Sequence, residues 1–344
     1  MSRENEASFR NKVIWFSFAF SLLVIWVHSY NAELYLGRTE EMARIYRLEH
    51  WIGDRIAQIA VPGFFMISGY LFYRDFTWEK LRGKWNRRIR SVLVPYILWN
   101  FLYYLGYVIG SRLPWVDEVV GKGVIPFHLN AMVDAVINYT YNYVFWYLFQ
   151  LILLILLAPV LYPVLSCAWS RIVFLLVLGA ILIWDVRLPL VNADALMYYS
   201  VAAAAALSPK TRAVVERMGA GTIAAIALIL AAAMSYYLGL VHALPAGFVL
   251  CRLLAVTGFW LLVPARKLPP VREFMKHNFF LYATHFALVR FINKAGVELL
   301  AVTPAVPLVL FLAMPALALG ASTVAGKILR RVSPAAWMLL TGGR

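Results

Sequence analysis

The stretch that decides the fold is VIWFSFAFSLLVIWVHSY, Val13–Tyr30, an apolar run with no charge apart from the imidazole of His28. A helix needs about 20 such residues to cross the hydrocarbon core of a bilayer. The segment therefore predicts a membrane helix. An ionisable group at membrane depth is costly, so it indicates a functional site by default. The alternative is that His28 only hydrogen-bonds a neighbouring helix.

The composition extends this prediction to the whole chain. Its 344 residues are 62% hydrophobic and only 14% charged, and the mean hydropathy is +0.73. A soluble domain carries roughly a quarter charged residues, so we expect a polytopic membrane protein. The net charge of +15 does not indicate nucleic acid as a partner. The basic residues fall in short clusters between apolar runs, as in cytoplasmic membrane loops.

The sequence predicts an all-α, polytopic membrane helix bundle that forms a single integral-membrane domain over residues 1–344. About ten apolar runs of spanning length are separated by polar or Pro/Gly-rich breaks. They lie near residues 13–32, 56–73, 91–110, 144–163, 172–186, 195–208, 221–240, 247–264, 278–295 and 304–325.

The basic residues also predict the orientation. With the N-terminus inside, most of the 32 Lys and Arg residues fall in cytoplasmic segments, which places both termini in the cytoplasm. Two segments on the outer side, 33–55 and 111–143, are long, polar and aromatic. Long non-helical segments of this kind usually line or cover a site, although a passive connection is an equal alternative.

Several kinds of catalytic site are disfavoured. Cys167 and Cys251 lie far apart, in or beside apolar segments, and imply neither a disulfide framework nor a metal site. The chain has no Gly-rich phosphate loop, no HExxH motif and no serine elbow. Because no Asp or Glu lies near the middle of a predicted span, paired carboxylates are disfavoured as well. Histidine remains as the expected base.

The second span contains FFMISGYL, Phe64–Leu71, directly after Pro62 and Gly63. Pro and Gly inside a membrane helix free backbone groups, which is tolerated where the helix lines a cavity. Small residues such as Ser68 and Gly69 also allow helices to pack closely. From the residues alone, packing is the favoured interpretation.

The next cytoplasmic segment is strongly basic. KLRGKWNRRIR, Lys80–Arg90, contains no acidic residue. Arg87 and Arg90 are three positions apart, so a helix presents both guanidiniums on one face. Guanidinium forks suit phosphate oxygens, and a cytoplasmic ligand with several phosphates, such as coenzyme A, would fit. The alternative is a topology signal that contacts anionic lipid headgroups.

Two later motifs add aromatic and ionisable side chains. FWYL, Phe145–Leu148, opens the fourth span at the outer interface, where aromatic belts are common. In FFLYATHF, Tyr282 and His285 share one helical face. With the orientation above, His285 falls in the cytoplasmic half of its span and His28 in the outer half.

The order of these parts resembles the acyltransferase-3 family of bacterial membrane acyltransferases, which O-acetylate surface polysaccharides and lipopolysaccharide. The resemblance covers essentially the whole chain. The matching residues are the first-span His28, the FFMISGYL run with Ser68 and Tyr70, the basic Arg87–Arg90 loop leading into LVPYILW, the aromatic group with Trp146, and LYATHF with Tyr282 and His285.

The resemblance implies an enzyme of the bacterial inner membrane. It would take an acyl group, usually acetyl, from cytoplasmic acetyl-CoA and deliver it to a sugar hydroxyl of an envelope glycan. No cofactor is bound permanently, because acetyl-CoA is the donor substrate. The family's Arg-x-x-Arg pair, associated with the acyl-CoA donor, maps onto Arg87 and Arg90, with Arg88 in support.

The family's first-span histidine maps onto His28, our candidate general base, with Asn31 as an orienting partner. His285 is the second candidate catalytic residue. It and Tyr282 would lie on the donor side and position the thioester or relay the acyl group. The chain departs from the family at Ser17, where many members carry a basic residue. Lys12 and Arg10 lie one to two turns earlier and are the candidate substitutes.

A secondary transporter or glycan flippase is the alternative from a different class. It would use His28, Arg252 and His285 as a proton or substrate pathway. Against it, the chain shows no inverted repeat, and the basic cluster is concentrated in one loop. A purely structural membrane scaffold would leave the histidines unexplained.

Overall fold

The structure is a computed structural model that describes residues 2–114, 116, 121 and 123–343. Over these residues the chain is helical and contains no strand, which confirms the all-α fold class. The helices are α1 (Arg3–Val27), α2 (Ala32–Leu36), α3 (Glu40–His50), α4 (Ala60–Tyr73), α5 (Trp78–Arg88), α6 (Val94–Gly110), α7 (Leu129–Ile137), α8 (Trp146–Leu156), α9 (Ala158–Ser166), α10 (Ala168–Ile183), α11 (Ala193–Leu207), α12 (Pro209–Val215), α13 (Thr222–Leu240), α14 (Gly247–Leu262), α15 (Glu273–Lys276), α16 (Asn278–Leu299), α17 (Ala305–Val332) and α18 (Pro334–Thr341).

Several of these helices suit a membrane. In the described part of the chain, five helical segments are long and apolar enough to cross one, and a bent pair adds a sixth. Three shorter apolar helices, α10, α11 and α14, accompany them. Each predicted span contains a helix of the structure, whereas the count of about ten crossings stays a prediction.

The predicted fourth span is broken. A bend of 65° separates α8 from α9 at Leu157. Pro159 follows at the start of α9, where it has no N–H to donate and its ring would crowd the carbonyl of Ile155 in a continuous helix. The apolar run 144–163 is therefore two helices and not one straight span.

The expectation of a non-helical outer segment at 33–55 is wrong. Thr39 begins α3 by accepting a hydrogen bond from the Met42 amide at 3.1 Å, and two acidic residues occupy the first turn. The π turn Trp51–Ile56 and the 3₁₀ turn Ala57–Ile59 then continue α3 into α4. The segment 111–143 contains α7, and its residues 115, 117–120 and 122 lie outside the described residues.

The described residues form two compact units. The first comprises residues 2–20, 58–84 and 150–276. Its helices pack closely at small residues: a Cβ on Gly69 would lie 2.4 Å from the Tyr199 carbonyl oxygen, and one on Gly63 would lie 2.2 Å from the Phe20 ring. The packing interpretation of these glycines is confirmed.

The second unit comprises residues 21–57, 85–149 and 277–343. The end of α1 packs with α16 and α17 around a buried cluster of Ile25, Leu281, Val289, Met314 and Ala318. A second cluster joins α6 to α7 through Tyr104, Val108, Ile125 and Ala135. Both candidate histidines belong to this unit.

Candidate functional site

His28 lies one residue beyond the end of α1, where the helix opens into a turn. Its amide still donates to the Ile25 carbonyl at 3.1 Å, and Ser29 donates to Trp26 at the same distance. The turn frees His28 from the regular helix and leaves its side chain half-buried. Its imidazole can therefore meet both protein and substrate.

The two predicted histidines are neighbours in the second unit. The ring centroids of His28 and His285 lie 5.4 Å apart. The expectation that they occupy different depths is therefore wrong, because α1 ends at the level of the second turn of α16. His285 is 1% exposed, so its ring is enclosed by protein beside the half-buried His28.

The tautomer of His285 follows from its partner. Its Nδ1 contacts the Tyr282 carbonyl oxygen, which can only accept, so Nδ1 carries the proton. The lone pair then sits on Nε2, a buried atom without a hydrogen-bond partner among the described residues. A buried acceptor left unsatisfied is unfavourable, which makes this nitrogen ready to accept a hydrogen bond from a bound group.

Tyr143 is the polar partner of His28. Its hydroxyl lies 3.1 Å from His28 Nδ1, and a phenol can donate or accept there according to the tautomer. Phe286 packs edge-on against both rings, at 5.9 Å from His28 and 4.8 Å from Tyr143. Tyr143 was not predicted from the sequence, because the aromatic residues that follow it are also explained as a membrane belt.

The loop before Tyr143 is ordered by a carboxylate. Thr140 and Asn138 donate to Asp134 at 2.5 and 2.7 Å, and these hydrogen bonds hold the pKa of Asp134 below its usual range. Asn142, directly before Tyr143, is fully buried, and neither amide atom has a partner among the described residues. A second buried side chain with unused hydrogen-bonding capacity, after His285, therefore directly precedes Tyr143 in the sequence.

A buried polar group holds the segment after His28. Glu49, fully buried on α3, accepts from the backbone amides of Asn31 at 3.2 Å and Ala32 at 3.3 Å. The Asn31 side chain donates to Asn293 Oδ1 at 3.1 Å. The expected bond between Asn31 and His28 is therefore wrong: Asn31 bonds to α16, and Tyr143 takes the place beside the imidazole.

Sequence reasoning missed Glu49 because it sits in a segment that resembled an exposed loop. The signal for Glu49 in the sequence is its helical spacing from Ile45, four residues earlier. The structure buries both residues. Arg290 was also missed, five positions beyond His285; it donates to the Tyr107 hydroxyl at 2.7 Å. Within the same unit, the exposed carboxylate of Asp54 accepts a hydrogen bond from Tyr30 at 2.6 Å and contacts His50.

Two further predicted residues, Tyr282 and Trp146, belong to the second unit. Tyr282 is buried, donates to the Val144 carbonyl at 2.7 Å and stacks on Phe145. Trp146 begins α8 and is half-buried. The contacts described for the two histidines involve none of the predicted arginines.

The predicted arginines lie at the junction of α5 and α6. Arg87 and Arg88 form the last turn of α5, and Arg90 belongs to the π turn Ile89–Leu93 that leads into α6. The side chains of Arg87 and Arg90 are exposed, and Arg88 is half-buried. No carboxylate within the described ranges pairs with Arg87 or Arg90.

Four further predicted residues belong to the first unit. Ser68 and Tyr70 lie on α4, where the Tyr70 hydroxyl donates to Glu216 at 2.9 Å. Lys12 is buried, donates to the Trp260 carbonyl at 2.7 Å and lies 4.4 Å from the centre of that ring. Arg252 lies 3.9 Å from Asp194.

Comparison with known proteins identifies the family of the chain. The acyltransferase-3 family model, described as an acyltransferase domain, matches residues 17–325. No curated protein and no solved structure matches the chain. The match covers nearly the whole chain, including His28, Tyr143 and His285. The chain therefore belongs to the acyltransferase-3 family, and it is a membrane acyltransferase.

Proposed function

We propose that this acyltransferase moves an acetyl group from cytoplasmic acetyl-CoA to a sugar hydroxyl of the cell envelope. The observation that carries the proposal is the group formed by His28, His285 and Tyr143, in which the buried Nε2 of His285 has no hydrogen-bond partner among the described residues. O-acyl transfer from a thioester needs a base for the attacking hydroxyl and no redox step. A neutral imidazole supplies such a base near pH 7.

In the proposed step, His28 takes the proton of the sugar hydroxyl as its oxygen attacks the thioester carbonyl. The new C–O bond forms, the C–S bond of the tetrahedral intermediate breaks, and the imidazolium returns the proton to the departing thiolate. Tyr143, at 3.1 Å from Nδ1, holds the ring in position during both proton transfers. His28 suits this role because its half-buried ring can reach a bound substrate.

His285 is proposed to act behind His28. Its Nδ1 bond to the Tyr282 carbonyl orients Nε2 as an acceptor, and the two rings are 5.4 Å apart. Two positive imidazoliums at that distance would repel each other, so the pair favours a single added proton. We assign His285 to sharing that proton with His28 or to accepting a hydrogen bond from the bound acetyl-CoA.

The donor's phosphates are assigned to the basic junction of α5 and α6. Arg87 and Arg90 are exposed and have no carboxylate competitor among the described residues, and Arg88 stands between them. Each guanidinium offers paired donors that match phosphate oxygens. With both termini in the cytoplasm and about ten crossings, this junction faces the cytoplasmic pool of acetyl-CoA.

The compartment follows from the donor and the acceptor together. Acetyl-CoA is cytoplasmic and the acceptor is an envelope glycan, so we place the enzyme in the bacterial inner membrane. Among the described residues no contact favours the transporter alternative: Arg252 lies 3.9 Å from Asp194, and His28 contacts Tyr143 at 3.1 Å.

The test is transfer of radiolabel. Membranes containing the protein are incubated with acetyl-CoA labelled in the acetyl group, and the envelope glycans are extracted and hydrolysed with mild base. Base-labile label on sugars supports the proposal. Label confined to lipids or to protein under the same conditions would contradict the proposed acceptor, and release of free acetate alone would contradict transfer.

A further inference from the structure

An apolar cavity of about 270 Å³ lies within the first unit. Its wall includes Phe9 and Phe16 of α1, Tyr70 of α4, Val201 and Ala205 of α11, and Trp260 of α14. Lys12 holds one side of this wall, because its ammonium binds the Trp260 carbonyl and lies over the Trp260 ring. The proposed acyl transfer uses none of these residues.

The few hydroxyls in the wall already have partners. Tyr70 donates to Glu216 at 2.9 Å, Thr211 to the Ala205 carbonyl at 2.9 Å, and Thr257 to the Leu253 carbonyl at 2.8 Å. An ordered water needs two to four polar partners, which this wall does not offer. Water is therefore a poor occupant of the cavity.

The size of the cavity calls for an occupant. Packed protein interiors contain few voids larger than a water molecule. Apolar cavities of roughly 150 Å³ stay dry and take up hydrocarbons such as benzene. A water molecule or a methylene occupies roughly 30 Å³, so the cavity of the first unit holds about nine such groups. These dimensions match a length of hydrocarbon chain.

A polar cleft adjoins the cavity. A neighbouring cleft shares Phe9, Val13 and Leu71 with the cavity wall and adds Glu6, Arg10, Arg74 and Asp75. The same four charged residues line a more open cleft together with Arg3 and Arg212. An apolar chain in the cavity would therefore have a charged cleft at one end.

The charge of this cleft is positive. Arg74 makes a two-point contact with Glu6 at 2.7 and 3.0 Å, and Arg212 pairs with Asp75 at 2.8 Å. Arg10 shares Glu6 with Arg74 and remains largely exposed, and Arg3 has no carboxylate partner within the residues described. Arg74 and Arg212 also share Glu216, at 2.7 and 3.1 Å, so the four guanidiniums face three carboxylates. The remaining positive charge lies at Arg3 and Arg10, where it leaves room for an anion.

We propose that the first unit binds an anionic phospholipid of the surrounding membrane, with one acyl chain in the apolar cavity and the phosphate at Arg3 and Arg10. Basic pockets between membrane helices bind anionic headgroups in this way. The bound chain would fill the void between α1, α4, α11 and α14 and so support the packing of these helices.

The test uses photoactivatable lipids on the full-length protein in vesicles. Phosphatidylglycerol and phosphatidylcholine, each with a diazirine on one acyl chain, are cross-linked and the modified peptides mapped. We expect phosphatidylglycerol to label the cavity wall near Phe9–Phe20 and Trp260, and to do so severalfold more than phosphatidylcholine. Labelling confined to exposed lipid-facing residues, such as those of α13, would overturn the proposal.

Matched variants separate the chain from the headgroup. Ala205→Phe, which fills the cavity, should abolish labelling of the wall, whereas Ala224→Phe, at an exposed alanine of α13, should not. Arg3→Gln and Arg10→Gln should each weaken the preference for phosphatidylglycerol by roughly fivefold. Arg272→Gln, at another exposed arginine of the same unit, should leave it unchanged.

Three outcomes contradict the assignment. Equal labelling by the two lipids would remove the anionic headgroup. Displacement of the labelled lipid by a fatty acyl-CoA, but not by unlabelled phosphatidylglycerol, would show that the occupant is a thioester and not a membrane lipid. Unchanged wall labelling in a folded Ala205→Phe protein would exclude the cavity. If that variant does not fold, the wild-type peptide map decides.

Discussion

At the scale of single residues, the two histidines stand out because their ring nitrogens have few hydrogen-bond partners among the described residues. His28 Nδ1 contacts Tyr143, and the buried Nε2 of His285 has no partner among the described residues. Histidines that serve structure alone are expected to have both ring nitrogens satisfied when they are buried. The unused nitrogen of His285 is therefore more informative than the presence of two imidazoles in apolar helices.

Tyr143→Phe should lower the turnover rate without changing donor affinity. The substitution keeps the ring that packs on Phe286 and removes the hydroxyl 3.1 Å from His28. A neutral hydrogen bond contributes about 0.5–1.5 kcal/mol, so we expect the rate to fall roughly two- to tenfold. Tyr237→Phe, at an exposed tyrosine of α13, is the control. Equal rates for the two variants would exclude a positioning role for Tyr143.

Arg87 and Arg90 should bind the donor through their paired N–H groups and not through charge alone. Loss of a charge-assisted bond worth about 1.5–3 kcal/mol weakens binding roughly ten- to a hundredfold. Lysine keeps the charge but not the paired N–H groups, so Arg→Lys at either position should retain only part of the wild-type affinity for acetyl-CoA. The measurement is acetyl-CoA affinity in detergent without anionic lipid, with Arg82→Lys as the control. Wild-type affinity in both variants would make this segment a topology signal only.

At the scale of elements, the turn between α1 and α2 carries the site. Glu49 reaches from α3 to the backbone amides of Asn31 and Ala32, and so fixes the segment that follows His28. This contact could not be predicted from the sequence, since EEMARIYRLEH resembles a solvated loop unless its helical spacing is recognised. A buried carboxylate on an otherwise polar segment becomes visible only once the helix has a partner.

Glu49→Ala should destabilise the protein and slow transfer together. It leaves two buried N–H groups without an acceptor, and each such group costs about 1–3 kcal/mol. Glu49→Gln keeps one acceptor oxygen and should have the smaller effect. Thermal unfolding and the transfer rate are measured side by side, with Glu41→Ala, an exposed position of α3, as the control. A fully active and equally stable Glu49→Ala protein would remove Glu49 from the account.

At the scale of the whole molecule, apolar run length predicted the helices well. Each predicted span contains a helix, because burial in lipid and burial in protein both require apolar runs with paired backbone groups. Run length did not reveal the break at Leu157, where Pro159 ends a helix inside an unbroken apolar run. Run length also placed the two histidines at different depths. That placement is wrong because depth depends on where the helices end and not only on their order.

The orientation of the chain can be tested directly. After replacement of Cys167 and Cys251 by serine, a single cysteine at the exposed Arg38 should react with an impermeant maleimide from outside intact spheroplasts. A cysteine at Arg82 should react only after permeabilisation, because the basic segment is expected in the cytoplasm. The reverse pattern would invert the topology and remove the basic junction from the side of acetyl-CoA.

The central claim is that His28 is the general base of acyl transfer. The most direct measurement compares His28→Asn with His242→Asn, a histidine in the first unit, in membranes with equal amounts of folded protein. Transfer of labelled acetyl and affinity for acetyl-CoA are measured on both. General-base catalysis contributes about 10²- to 10⁴-fold, so His28→Asn should lose that much rate at unchanged donor affinity, and His242→Asn should lose none. A His28→Asn protein that transfers acetyl at the wild-type rate would contradict the account.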